Sequence, residues 1–256
     1  MKLKDFEKKF ICPRCKTPLT PEKNKGKCPK CRFEYLKKGG IWHLLYIPKR
    51  QTKEPLEKYD TMHRQYFGGP KDGSYESLAA IAAGNKTVDI ACGQGLIEKL
   101  APETVGVEFS LNALEKAKTA GVANLVLADA QKLPFRNNSF DVAISAGSLE
   151  HFENPAKAIA EMARVAKIQV LTVHREFDIP FSRQLRFLTT KFFGVSDQPI
   201  EKPLKWAELE KMLKAAKLKI VFKGFWTLPV NFGKVAQILP VFKNIPSCFF
   251  VVTIKK

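Results

Sequence analysis

Four cysteines stand in two close pairs near the start of the chain, Cys12-Pro13-Arg14-Cys15 and Cys28-Pro29-Lys30-Cys31. Thiolates two residues apart reach one ion from a single tight turn, and two such pairs make the tetrahedral sulfur shell that suits Zn2+. With all four positions cysteine the shell is closed, which points to a structural ion rather than a catalytic one. The rival chemistry, dithiol redox at one C-x-x-C, wants a βαβ setting that this segment lacks. A second chemistry lies at Lys86–Gly95, KTVDIACGQG. Gly93 and Gly95 permit a tight turn that a ligand can approach closely, and a helix start behind them offers unpaired amides. Glu108 comes directly after Val105-Gly106-Val107, where a carboxylate can accept both hydroxyls of a ribose. Glu150 and His151 are the candidate proton-handling groups, since an imidazole titrates near neutrality. Capping of the next helix is the structural alternative for them.

These residues need elements to hold them. Thr87, Val88, Ile90 and Ala91 read as a short buried strand, with a helix from Leu96 to Leu100 after the glycine turn. A strand, a glycine turn and a helix N-terminus together form a nucleotide-binding βα unit. A dinucleotide fingerprint wants a small residue where Glu98 stands, and its acidic residue farther on than Glu108. The alternation then continues: strand Val105–Phe109, helix Leu111–Ala120, strand Asn124–Ala128, strand Phe140–Ser145, a helix from Asn154-Pro155 to Ala166, and strand Ile168–Val173. A helix is expected over Trp206–Ala216, and strands over Lys219–Phe225 and Ser247–Ile254. Upstream, Phe33–Tyr35 and Gly39–Leu45 read as a strand and hairpin closing the cysteine segment. The stretch Pro48–Pro55 reads as a linker, and Leu56–Phe67 and Tyr75–Ala83 as helices. Cys92 and Cys248 are expected to be buried packing residues, and His43 to pack beside Trp42.

At 256 residues and 45% hydrophobic content, the chain can hold one medium domain and a small module. No run reaches the roughly 18 apolar residues of a membrane span, and the charged start MKLKDFEKKF lacks the apolar region of a secretory signal. A cytoplasmic protein is expected, with its cysteines as thiols or metal ligands. The net charge of +18 is uneven. Residues 1–58 hold 17 Lys/Arg against 6 Asp/Glu, 59–174 hold 11 against 13, and 175–256 hold 15 against 6. Both flanks are therefore strongly basic around a nearly neutral centre. That distribution suits a polyanion such as RNA; a lysine-rich solvated surface is the alternative.

Residues 86–173 resemble the class I S-adenosylmethionine-dependent methyltransferases, most closely the subgroup that includes the quinone-biosynthesis enzymes. The resemblance rests on Asp89, Gly93 and Gly95, on Glu108, and on the Asp129–Phe135 loop. The cysteine segment resembles the zinc ribbons that precede some such domains, including the ribosomal RNA guanine-N1 methyltransferases. The resemblances imply an α/β fold, a doubly wound, mostly parallel sheet of seven strands with the last antiparallel. They imply a zinc ribbon at residues 1–47, a linker at 48–58 and a methyltransferase domain at 59–256, with a substrate-side insertion at 175–205. They imply S-adenosyl-L-methionine as cofactor, held by Asp89, Ala91, Gly93, Gly95, Glu108, Phe109, Asp129, Ala130 and Ser145. In that arrangement Asp129 accepts from the adenine amine and the Ala130 amide donates to the ring. Tyr59, His63, Tyr66 and Phe67 match the leader that lies over the cofactor in small-molecule enzymes.

The chain departs from the family where Arg164-Val165-Ala166-Lys167 runs straight into a strand, without the usual Pro-Gly-Gly turn. Ser145-Ala146-Gly147 replaces the motif of exocyclic-amine methylators, which disfavours an N6-adenine acceptor. Two acceptors stay open, RNA and a small metabolite such as a quinone precursor or carboxylate. A third reading is a cofactor-binding scaffold whose ribbon recruits a partner. Loss of the zinc site is expected to leave the catalytic domain folded, and removal of residues 1–50 to lower RNA affinity strongly while leaving cofactor affinity nearly unchanged.

Overall fold

The computed structural model of the chain describes residues 4–47, 73–176, 202–226 and 248–256. Seven strands form the centre of the molecule in the order β7 (Leu125–Leu127), β6 (Val105–Glu108), β5 (Thr87–Ile90), β8 (Phe140–Ala146), β9 (Ala166–His174), β11 (Cys248–Lys255) and β10 (Leu218–Trp226). The first five are mutually parallel, and β11 runs antiparallel to both its neighbours. Every residue of β5, β6 and β7 is buried. Such strands are covered on both faces and read as near-continuous apolar runs, which is why they stand out in the sequence.

Helices cover both faces. On one, α1 (Ser74–Ala82) and α2 (Leu96–Leu100) bring Leu78, Ala82 and Ile97 against Val142, Ile144 and Val170. On the other, α4 (Pro155–Val165) and α5 (Trp206–Ala215) bring Ile159, Met162, Leu209 and Leu213 against Ala143, Leu171 and Val173. The alternation of Ile144 with Ala143, and Val170 with Leu171, is the period-two pattern of a strand buried on both sides. Between β6 and β7, α3 (Leu111–Thr119) is capped by Ser110, whose hydroxyl accepts from the Ala113 amide at 3.2 Å. Helix α4 ends at Val165 and β9 begins at Ala166, the direct passage expected from the missing Pro-Gly-Gly turn.

The cysteine segment joins the main sheet. Its two hairpins, β1 (Thr20–Glu22) with β2 (Lys25–Lys27) and β3 (Glu34–Lys38) with β4 (Ile41–His43), continue the same sheet. Strand β4 lies parallel to β7, with Trp42 opposite Val126 and His43 opposite Leu127. Phe10, Tyr35, Trp42 and Leu44 are fully buried and share one core with Val126, Leu133 and Phe135. The physical reason is twofold. The ribbon has too few residues to bury these aromatics alone, and β7 would otherwise present an unpaired apolar edge.

Glu7 holds the chain start onto this junction. It is 2% exposed and accepts from Lys37 Nζ at 2.7 Å, Trp42 Nε1 at 2.8 Å and the Lys4 amide at 2.8 Å. Burial alone would raise its carboxyl, but the hydrogen bonds from Lys37 and Trp42 outweigh that and hold it below the usual range. The linker 48–58, the helix 56–67 with its four aromatic and histidine positions, and residues 177–201 of the insertion lie outside the described residues.

Candidate active site

The parallel strands end together at one edge, and the glycine turn stands there after β5. Gly93 and Gly95 adopt φ of +55° and +72°, in the left-handed region where glycine is favoured. They differ in what surrounds them. A Cβ at Gly95 would come within 2.8 Å of Val122 Cγ2, so Gly95 is required for packing against the chain after α3. A Cβ at Gly93 would meet no atom of the described residues within 4 Å. Open space on a turn that lies against a strand edge is what a bound ligand needs, and a side chain there would fill it. Ala91 also has a positive φ, +63°, a strain of about 1–3 kcal/mol of the kind that collects at functional turns.

Glu108 ends β6 beside this turn and is 6% exposed. Its Oε2 accepts from the Gly93 amide at 3.0 Å, and its Oε1 accepts from the Phe109 and Ser110 amides at 2.6 and 2.8 Å. One carboxylate thus joins the glycine turn to the next βα turn. On the far side, the Ala128 amide donates to Glu108 O at 2.9 Å and leads into Asp129. The Asp129 carboxylate accepts from the Gln131 amide at 2.8 Å and caps the short turn Ala130–Lys132. Asp129, Ala130, Glu108 and Gly93 therefore lie on neighbouring strand ends.

In the sequence, Glu98 stands out only as a departure from the dinucleotide pattern. It is 2% exposed, as is Asp89. Its Oε1 would lie 3.0 Å from a Cβ on Gly106, so it points under the sheet against β6. Burial, reinforced by the Glu108 charge, pushes the Asp89 carboxyl up to about 7. Burial and the Asp89 charge drive Glu98 well above the usual carboxylate range. Burial likewise raises the Cys92 thiol, an inert packing residue as expected.

Glu150 and His151 lie on the short turn after β8, and Glu150 has a close partner beyond that turn. Glu150 is 1% exposed and its Oε1 lies 2.9 Å from Nδ1 of His174, the last residue of β9. The His174 amide also lies 3.4 Å from Glu150 Oε1. Burial would raise Glu150, but the His174 hydrogen bond and the charges of His174 and His151 outweigh it and hold the carboxyl low. His174, at the end of β9, thus supplies the hydrogen-bonding partner of Glu150, and His151 acts on the same carboxylate through its charge. The sequence signal for it is the place of His174 at the sheet's carboxyl edge. His151 is 9% exposed, and Ser145 is fully buried with its hydroxyl unpartnered among the described residues.

In the ribbon the four cysteine sulfurs lie within 4.8 Å of one another. Cys12 Sγ is 3.6 Å from Cys31 Sγ, and Cys15 Sγ is 3.5 Å from Cys28 Sγ. A tetrahedron with bonds of about 2.3 Å to zinc has edges of about 3.8 Å, so the donor set fits such an ion. Tyr35 Oη stands 3.2 Å from Cys12 Sγ, where it can orient the thiolate. Contacts with the Thr17 side chain and backbone draw the Cys15 thiol down to about 6, while burial raises Cys12 to about 11.

Residues 88–172 match the protein family described as a methyltransferase domain. That match covers less than half of the chain. The matched span runs from β5 into β9 and contains Asp89, Gly93, Gly95, Glu108, Asp129, Ser145, Glu150 and His151, but neither the cysteine ribbon nor His174. An uncharacterized protein of Methanocaldococcus jannaschii is 40% identical over 103 residues, which are 39% of this chain and 41% of that one. Demethylmenaquinone methyltransferase of Staphylococcus aureus is 36% identical over 126 residues, 44% of this chain and 52% of the relative. The chain thus spans about half the length of the curated relatives it matches. Among solved structures, magnesium protoporphyrin IX methyltransferase of Synechocystis with bound SAH superposes with a TM-score of 0.54 at 16% identity. That likeness covers 80% of this chain and 97% of the other, and shows the class I methyltransferase fold. The ribbon extends the β7 edge of the seven-stranded sheet.

Proposed function

We propose that the chain transfers a methyl group from S-adenosylmethionine, that its ribbon holds one structural Zn2+, and that its acceptor is RNA. The observation that supports the first part is the turn after β5, where Gly93 leaves open space beside the Glu108 carboxylate. The cofactor would supply an electrophilic methyl on a sulfonium, so the protein's work is alignment more than acid–base chemistry. Gly93 and Gly95 would admit the methionine part, Glu108 would accept from the ribose hydroxyls, and Asp129 and Ala130 would flank the adenine. Ala91, Phe109 and Ser145 complete the proposed lining. Glu150, held anionic and buried, orients His174 and favours the imidazolium, which suits a proton acceptor on the acceptor side. His151 stands next to that pair.

RNA is favoured by charge. The ribbon is basic and joins the sheet so that β4 runs parallel to β7, delivering the chain at the same edge as the cofactor turn. It also exposes Phe33, 41% accessible, with the Arg14 guanidinium 5.5 Å from its ring centroid. An aromatic ring beside a cation suits a stacked base and its phosphate. The S. aureus relative, named for a quinone substrate, supports a second reading in which the acceptor is a small metabolite. Incubating the protein with methyl-labelled cofactor and either total RNA or an organic extract separates the two. Label in RNA, lost steeply as salt rises, supports the first; label in the extract with a flat salt response supports the second.

A further inference from the structure

We infer that Phe10 and Ile11 are positioning residues for the proposed cofactor site, through which metal loading of the ribbon and cofactor binding favour each other. The inference rests on the proposed zinc and cofactor sites, but concerns a link that neither contains. The Ile11 amide donates to Pro134 O at 2.9 Å, and the Arg136 amide donates to Lys9 O at 2.9 Å. Phe10 bridges Phe135 in antiparallel register, with ring centroids 5.6 Å apart. Cys12 comes directly after Ile11, and Leu133–Phe135 come directly after the turn that begins at Asp129. The metal knuckle and the adenine-side loop are thus two ends of one short hydrogen-bonded contact.

A second contact runs along the sheet. Leu44 N donates to Leu127 O at 2.9 Å, and Leu127 is opposite Glu108 on β6. Ribbon order therefore bears on both strand ends that carry the proposed ribose and adenine contacts.

Coupling needs an element with two states that both ligands bias. The ribbon is that element, because a four-cysteine knuckle of this size takes its folding energy from its metal. Without the metal, Phe10, Trp42 and Leu44 lose the frame that holds them in the shared core, and the 133–136 segment loses one of its two supports. The other support stays. Arg164 on α4 donates from Nη1 to Phe135 O at 2.6 Å and from Nη2 to Leu133 O at 2.9 Å. Metal loss should accordingly weaken cofactor binding rather than abolish it. Couplings of this kind are typically about 5–150-fold, and reciprocity requires the same factor in both directions.

The test is calorimetry of the full-length chain with S-adenosylhomocysteine, zinc-loaded and after chelation, with circular dichroism to verify that the sheet persists. Roughly tenfold weaker binding in the stripped protein is expected, together with a matching tenfold gain in zinc retention against a chelator when S-adenosylhomocysteine is saturating. A Phe10→Ala variant that keeps its zinc should also bind S-adenosylhomocysteine more weakly and show a smaller reciprocal gain, which decides the matter if chelation unfolds the whole chain. Affinity within about twofold of the loaded protein in both the stripped and Phe10→Ala forms, or no effect of S-adenosylhomocysteine on zinc retention, overturns the coupling alone. A loaded protein that binds no S-adenosylhomocysteine overturns it through the cofactor reading, and one that binds no zinc overturns it through the metal reading.

Discussion

Glu7 is the residue whose removal should be felt most outside the active site. Its carboxylate is buried against Lys37, which is itself 8% exposed, and against the Trp42 indole. Glu7→Ala would leave the Lys37 ammonium buried without its partner, a change that typically costs about 3–5 kcal/mol. Chemical denaturation followed by Trp42 fluorescence should show that loss; a cost under about 1 kcal/mol would mean that the pair is solvated. Asp89 gives a pH-dependent prediction. Its native carboxyl, raised to about 7, keeps a proton that the unfolded chain releases near 4. The folded form therefore binds more protons between about pH 4 and 7, and stability falls as pH rises through that window, by at most about 1.4 kcal/mol per unit. Asp89→Asn should flatten the slope; an unchanged slope would assign it to Glu98 or another group. Neither effect is legible in sequence, because both follow from burial: Asp89 draws notice only through the family resemblance, and Glu7 is one acidic residue in a charged N-terminus. The same holds for Glu150, whose partner is 24 residues away in β9 rather than adjacent.

At the scale of elements, the sequence is most informative where strands are buried on both faces. The strands β5, β6, β8 and β9, the glycine turn and α2 through α4 all fall within about two residues of where their apolar runs and caps put them. The ribbon hairpin and its cysteines are equally visible. Its docking is not, since β4 is only three residues long and nothing local specifies its parallel pairing with β7. That docking bears on the removal of residues 1–50, which on the sequence alone is expected to leave cofactor affinity nearly unchanged. Deleting residues 1–47 uncovers the β7 edge and removes Phe10, Tyr35 and Trp42 from a shared core. The truncated chain should aggregate or melt at least about 10 °C lower, given that 1 kcal/mol shifts Tm by about 2–4 °C in a domain of this size. A soluble truncation with an unchanged melting temperature would show the sheet to be complete without the ribbon.

For the whole molecule, the basic flanks and neutral centre bear on the acceptor, while the βα turn bears on the chemistry. If RNA is the acceptor, binding should weaken with salt with a log–log slope of about −0.7 per phosphate neutralised. Reversing the charge of Arg14 and Lys30 should reduce that slope by about one to two without altering cofactor affinity. Filter binding across a salt series measures the slope, and a value near zero would move the acceptor to a small molecule. Calorimetry of the zinc-loaded chain with S-adenosylhomocysteine tests cofactor binding at the Gly93 turn. Binding is expected for the wild-type protein, with affinity reduced about 10–100-fold in Glu108→Gln and no measurable binding to a folded Gly93→Val, whose side chain would occupy the open space beside the carboxylate. Equal affinity in all three proteins, or preferential binding of NAD, would contradict the cofactor reading.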